Sequence, residues 1–471
     1  MGEGNTLRQK ALIVFLLYLA FVVYGSLVPL ELRPMTWDAA LERFLSIPYL
    51  NLGVGSRADW IANGVLYVPL AFLGCLALLG MRPARSTIFP GVLLVGLFCG
   101  AVAVAVEFAQ LWFAPRTVSL NDLMAEGIGI VVGVLLWLLG RRRLARFGAD
   151  FLAGGRQSVA AVMSLYALVY LAFSLFPFDF LISAQELAWK LQSANVGWLV
   201  APSCGDAVRC TARMGLDVAA TLPLGLLAVL LWPRAGLGRL FLAGVALGLL
   251  IEPLQLLLAS GVSQGLSVPL RGVGFLAGGL LGHWFLQRGL RSAAQTVVVA
   301  GAVLSLPYLV GLALVSGWFS TAPVGAEEAL ARLDRVRWLP FFYHYYTSEA
   351  VAMASTLAHL ALYAPLGVFS WALWAARGRR HSGAGAALAV FSAIAIAAVI
   401  EGGKLFFPPK HPDPTNLLIA AAGALLALAA ARWFEGVVRA GRDPRAGREG
   451  HPGHAIPSML RQAHPERNQR R

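Results

Sequence analysis

Charge is scarce in this chain. Only 13% of its 471 residues are Asp, Glu, Lys or Arg, against 58% hydrophobic ones, and mean hydropathy is +0.69. That excludes an ordinary soluble domain, whose charged fraction is about a quarter. Cysteine is scarce too, with four in all, which excludes a disulfide framework. Cys75 and Cys99 lie within apolar runs and read as packing residues. Cys204 and Cys210 flank the polar loop SCGDAVRC and form a candidate disulfide if that loop faces an oxidising compartment. The apolar runs do not alternate with polar residues, which argues against a barrel. His451, His454 and His464 have no ligands at structured spacing, so no metal is expected. Phosphate-cradling loops, nucleophile elbows and Ser-His-Asp patterns are also missing, and no cofactor is implied.

What the chain has in abundance is apolar runs of about twenty residues, the length of a bilayer-spanning helix. Twelve are predicted, at roughly 11–30, 59–80, 88–113, 119–140, 158–178, 214–233, 237–259, 265–286, 294–319, 350–375, 386–407 and 413–434. The expected fold is therefore all-α, a polytopic transmembrane bundle. The 50 glycines suit it, because small residues let membrane helices approach closely. The first run, ALIVFLLYLAFVVYGSLVPL, is followed by no small-x-small cleavage site and reads as a retained helix.

The formal charge of +14 invites a nucleic-acid reading, but its placement argues against one. Most of the 38 Lys and Arg fall in alternate short loops and in the last forty residues, the signature of cytoplasmic loops. Both termini are expected in the cytoplasm, with the chain in the bacterial inner membrane. The opposite links (31–58, 179–213 and 320–349) are long, and each carries an amphipathic stretch: TWDAALERFLSI, AQELAWKLQ and AEEALARLDRVRWL. Leu41, Phe44 and Leu45 share a face, as do Leu330, Leu333 and, less cleanly, Val336. These stretches read as interfacial helices, with bundle caps as the alternative.

An internal repeat runs through this pattern. Pro69, Pro223 and Pro365 sit in the second helix of successive four-helix blocks, and Glu107, Glu252 and Glu401 in the third. Gln110, Gln255 and Lys404 each follow three residues later. Gly129 and Gly133 are matched with Gly278 and Gly282, and with Gly423 alone in the last block. The expected organisation is unit one at 1–150, unit two at 151–291, unit three at 292–435, and a disordered basic cytoplasmic tail at 436–471.

Within unit one, the alternating topology gathers Asp59, Asn63, Glu107, Gln110, Arg116, Asn121, Asp122 and Glu126 in one shallow layer of the outer leaflet. Charge at that depth is costly and marks a functional site by default. Asn121 or Ser119 could also cap the fourth helix, with Asp122 favoured near its positive end. Arg116 could pair with Glu107, Asp59 or Asp122 in a purely structural cluster.

The stretches DWIANGVLYVPLAFLG and EFAQLWFAPRTVSLNDLMAEGIGIVVG resemble the VanZ-like family of bacterial membrane proteins. That family's pattern runs Asp, His or Asn, Pro-Leu-Gly, Glu-x-x-Gln, an Arg turn, then Asp-x-x-x-Asn-x-x-Gly. Asp59, Asn63, Pro69, Glu107, Gln110, Arg116, Asp122 and Gly129 match it; Ala71 and Glu126 depart from it. Unit two keeps Asp217, Glu252 and Gln255, with Arg271 where the family acid belongs. Unit three keeps His359 and Glu401, with Lys404 for the glutamine, Lys410 for the arginine and Asn416 for the acid. The resemblance implies an association with teicoplanin resistance and, for tripled forms, with envelope or exopolysaccharide systems. It implies no defined enzymatic mechanism.

Three functions are open to these residues; the residues motivate a pocket, and the resemblance alone implies the class of ligand. The leading one is an accessory envelope protein whose outer pocket recognises a membrane lipid, a lipid-linked precursor or a lipidated antibiotic, with Arg116 meeting an anionic headgroup. Envelope-assembly proteins would be its protein partners. The second is a membrane enzyme acting on a lipid-linked substrate through Glu107 and Asp122. The third is a transporter, disfavoured because the acids lie near one face rather than at the midplane.

Overall fold

In a computed structural model, residues 2–50, 53, 56–152, 154–205, 207–378 and 383–442 are described. The chain is an all-α polytopic bundle. Its helices are α1 (Gly2–Leu27), α2 (Trp37–Leu45), α3 (Arg57–Leu79), α4 (Arg85–Gln110), α5 (Leu120–Leu152), α6 (Gly155–Ser174), α7 (Ala184–Leu191) and α8 (Ala207–Leu231). There follow α9 (Leu237–Leu256), α10 (Ser267–Arg288), α11 (Leu290–Val315), α12 (Ala326–Leu333), α13 (Phe342–Tyr345), α14 (Glu349–Ala376), α15 (Gly383–Gly403) and α16 (Thr415–Arg442). Among the described residues, eleven helices are long and apolar enough to cross a membrane. Of the twelve spans predicted, α10 falls short, since its glycines, Arg271 and His283 dilute the apolar run. It is nonetheless packed between α8 and α9, with Arg271, Gly274, Phe275 and Gly278 buried.

Helix ends follow local chemistry. Gly80 (φ 69) and Gly289 (φ 83) end α3 and α10 in the left-handed region, a conformation glycine enters without a Cβ penalty. The next glycine in that conformation is Gly154 (φ 72), so α5 runs through the arginine-rich segment to Leu152, well past the predicted end near 140. Likewise α16 continues beyond Gly436 to Arg442, where a disordered tail was expected. The rest of that tail, including His451, His454 and His464, lies outside the described residues.

The long helices form three four-helix groups: α1, α3, α4, α5; then α6, α8, α9, α10; then α11, α14, α15, α16. Group one is cored by Tyr67, Leu70, Ala71, Cys75, Cys99 and Trp137. Group three is cored by an alanine ladder, Ala389, Ala393 and Ala397, against Ala420 and Ala424, a small-residue interface of the kind membrane helices favour. Each group touches the other two. Arg57 pairs with Glu186 at 2.9 Å, Trp433 donates to Ser158 Oγ at 2.8 Å, and Tyr24 donates to the Pro340 carbonyl at 2.7 Å.

The same contacts recur from group to group. Tyr18, Tyr166 and Tyr308 donate to the carbonyls of Leu66, Ala220 and Leu362, in each case three residues before the intrahelical proline. Proline removes the donor to the carbonyl four residues before it and loosens the ladder around that point, so the tyrosine adds a hydrogen bond next to the weakest point of the helix. A Cβ on Gly129, Gly274 or Gly423 would overlap the carbonyl of Gly64, Val218 or Leu360, each five residues before its proline. This contact corrects the glycine register read from sequence: Gly129 and Gly133 correspond to Gly274 and Gly278. Consecutive glycines one turn apart in α10 hid the slip.

The three amphipathic stretches are the short helices α2, α7 and α12, and each buries one side chain, Ala40, Lys190 or Ala329. Leu41, Leu45 and Leu330 are exposed. Phe44 parts from its predicted companions to pack edge-on against Phe108, and Val336 is buried. Two small sheets join these loops to the bundle: β1 (Glu31–Leu32) antiparallel to β2 (Phe113–Ala114), and β3 (Val196–Gly197) parallel to β4 (Ser263–Gln264). Cys204 and Cys210 are joined as a disulfide in the middle loop.

Candidate functional site

Three glutamates occupy corresponding places, one near the end of each of α4, α9 and α15, and all are buried: Glu107, Glu252 and Glu401. Their surroundings differ in kind. A buried carboxylate needs a cation and donors to offset its lost hydration, and groups two and three supply both.

In group two, Arg271 Nη1 donates to Glu252 Oε1 at 2.6 Å, its Nε to the Tyr170 hydroxyl at 3.0 Å, and its Nη2 lies 3.5 Å from Asp217. The Gln264 amide donates to Glu252 Oε2 at 2.7 Å, and Ser267 to Asp217 at 2.5 Å. In group three, Lys404 Nζ (2.7 Å) and Asn416 Nδ2 (2.9 Å) donate to Glu401 Oε1. The Asp413 amide donates to Oε2 at 2.8 Å. By the corrected register, Arg271 stands at the place of Glu126, Ser267 and Asn416 at that of Asp122, and Lys404 at that of Gln110.

Group one puts an acid, Glu126, where group two puts Arg271. Glu107 and Glu126 are 2% and 3% exposed and lie close enough to repel one another, with Asp122 beside both. Among the described residues, no cation lies within ion-pair distance of either. Glu107 Oε2, Glu126 Oε2 and the Tyr67 hydroxyl have no hydrogen-bond partner. Tyr67 faces Glu126 and neighbours Glu107, without completing a bond to either. Asp122 is satisfied by Asn63 Nδ2 at 2.7 Å and Ser119 Oγ at 2.6 Å, while Ser119 in turn caps α5 by accepting from the Asp122 amide.

The other predicted site residues do structural work. Arg116 pairs with none of Glu107, Asp59 or Asp122. It donates to the carbonyls of Val28 and Gly25 at 2.7 Å each, at the end of α1, and its guanidinium lies 4.3 Å from the Tyr345 ring of group three, a cation–π distance. Burial lowers its pKa. Gln110 donates to the Ser26 carbonyl at 3.1 Å, as Gln255 does to Ser174 at 3.0 Å. Asn121 exchanges two hydrogen bonds with the backbone of Leu50 and so pins the first long loop. Asp59 is exposed in the first turn of α3.

Sequence reasoning missed Tyr67, although Asp59, Asn63 and Tyr67 stand at i, i+4 and i+8 on one face of α3. It also missed three latching cations. Arg33 donates to the Leu111 carbonyl at 2.8 Å and Lys190 to Ala259 at 2.8 Å and to Gly261. Arg332 donates to the carbonyls of Leu405 and Lys410. Each comes from a long loop or its short helix and meets the carbonyls at the end of the third long helix of its group, where positive charge is favoured.

No curated protein and no solved structure matches this chain. Residues 12–141 match the VanZ/LLP1 family model, a span that runs from α1 into α5 and contains every residue of the carboxyl cluster. The first four-helix group of this multi-pass membrane protein is thus a VanZ/LLP1-like domain.

Proposed function

We propose that this chain is an accessory binding protein of the bacterial cell envelope, built as three copies of one VanZ-like unit, in which only unit one keeps a working site. That site takes the headgroup of an amphiphile, such as a lipid-linked precursor or a lipidated antibiotic. The observation that carries the reading is the contrast among the three buried glutamates. Units two and three neutralise theirs with Arg271 and Lys404, whereas unit one leaves Glu107, Glu126 and Tyr67 with unused acceptor capacity. A ligand rich in O–H and N–H donors, such as a sugar or an amine, offsets that deficit. Arg116, committed to α1 and Tyr345, is not the headgroup contact; the carboxyls are. The recurring tyrosine, proline, glutamate and glycine contacts support the three-copy reading.

The test compares amphiphiles that stay bound to the wild-type protein and to the Glu107→Gln/Glu126→Gln double variant through mild detergent purification, read by native mass spectrometry. The expected result is a species present on the wild type and lost from an equally well-folded double variant. Identical bound complements would refute the reading.

A further inference from the structure

At the arginine-rich end of group two, far along the chain from the carboxyl cluster, lies a groove of about 700 Å³ between α6, α9 and the α8–α9 turn. Its wall is apolar: Met163 from α6, Leu231 from α8, Leu240 from α9 and Phe275 from α10. Its rim carries three guanidinium groups, Arg156 in the first turn of α6, Arg234 in the turn, and Arg239 in the first turn of α9. A second apolar groove of about 540 Å³ adjoins it and shares Arg156, Met163, Leu231 and Trp232.

We propose that this paired groove is a binding site for an anionic glycerophospholipid. Two apolar channels meeting under one basic rim match a ligand whose two chains meet at one phosphate. All three arginines are exposed, and among the described residues none forms an ion pair with a carboxylate. Their charge is therefore free to act on an outside anion, unlike that of Arg271 or Arg57. Two helix N-termini, of α6 and α9, point their positive ends to the same rim. Guanidinium groups suit phosphate because their donors meet its oxygens in pairs. Trp232, half-exposed beside them, has the amphipathic character that places tryptophan at a membrane–water boundary. Basic pockets between membrane helices are a recognised setting for anionic headgroups.

The test uses the full-length protein stripped of lipid in detergent, then titrated with phosphatidylglycerol or phosphatidylcholine and read by native mass spectrometry. The wild type should hold phosphatidylglycerol on the order of tenfold or more tighter than phosphatidylcholine, and Arg156→Gln/Arg234→Gln/Arg239→Gln should erase the preference. A control removing the same charge from exposed positions of α5, Arg142→Gln/Arg143→Gln/Arg146→Gln, should keep it. Ala160→Trp with Ala243→Trp, which fills both channels and leaves every arginine in place, should lower affinity for phosphatidylglycerol. Equal binding of the two lipids, an equal loss in the α5 control, or undiminished binding by the filled variant would overturn the assignment. So would displacement of the lipid by an equimolar amount of inorganic phosphate.

Discussion

Replacing each of the three buried glutamates by glutamine, one at a time, separates a structural acid from a free one. Glu252→Gln removes a charge bonded at 2.6 Å to Arg271, itself 2% exposed. Breaking a buried pair from one side costs about 3–5 kcal/mol, because the remaining charge is stranded. Arg271 keeps Tyr170 and has Asp217 at 3.5 Å, so the lower end, about 3 kcal/mol, is expected. Glu401→Gln strands Lys404, which donates only to that carboxylate among the described residues, and should cost at least as much. Glu107→Gln strands no cation and removes an oxygen that has no partner; its cost should stay within about 1 kcal/mol. The gap of about 2 kcal/mol is roughly a thirtyfold difference in the folding equilibrium, well above the roughly 0.6 kcal/mol typical of a hydrogen bond between membrane helices. Reversible unfolding in mixed micelles, driven by increasing dodecyl sulfate and followed by circular dichroism, measures it. If Glu107→Gln proved as costly as Glu252→Gln, Glu107 would be a structural acid and the carboxyl cluster would not be a free site.

Gly129→Ala should destabilise by about 3 kcal/mol or more, since its methyl meets the Gly64 carbonyl, while Gly96→Ala, which faces open space, should be neutral; thermal aggregation midpoints of the two variants distinguish them. The Arg57 guanidinium, the Ile182 amide and the Ser183 amide hold the Glu186 carboxyl down to about 2. A depressed carboxyl stabilises the fold above its unfolded pKa, near 4.3, and loses that effect as pH falls through the folded value. Amide protection in α7, corrected for intrinsic exchange, should therefore hold from pH 7 to about 5 and decline toward pH 2, whereas Glu186→Gln should show the low protection throughout.

The architecture was largely legible in the sequence because burying a membrane helix leaves a crude signature, about twenty apolar residues in a row. Eleven spans could be read that way; the twelfth predicted run, at 265–286, is the helix α10, which Arg271 and glycine dilute. The acids of group one were equally visible, since a charge in such a run stands out. Their partners were not. Arg116 could have met any of three carboxylates on paper, but it meets the carbonyls of Val28 and Gly25, and helix-end carbonyls are present at every residue and announce nothing in a sequence. The same holds for the latches made by Arg33, Lys190 and Arg332. Glu126 read as a departure from a family pattern; only the contact register showed that it replaces Arg271's kind of neutralising cation with a second acid.

Each group holds four long helices. Where all four cross the membrane, α10 along with the eleven apolar ones, the number of crossings is even, and a chain that enters such a group from one side leaves it on the same side. Consecutive groups would then stand parallel rather than inverted, with Glu107, Glu252 and Glu401, each near the end of its third long helix, toward one face. A substitution at one of these acids would in that case leave the facing of the other two unaltered.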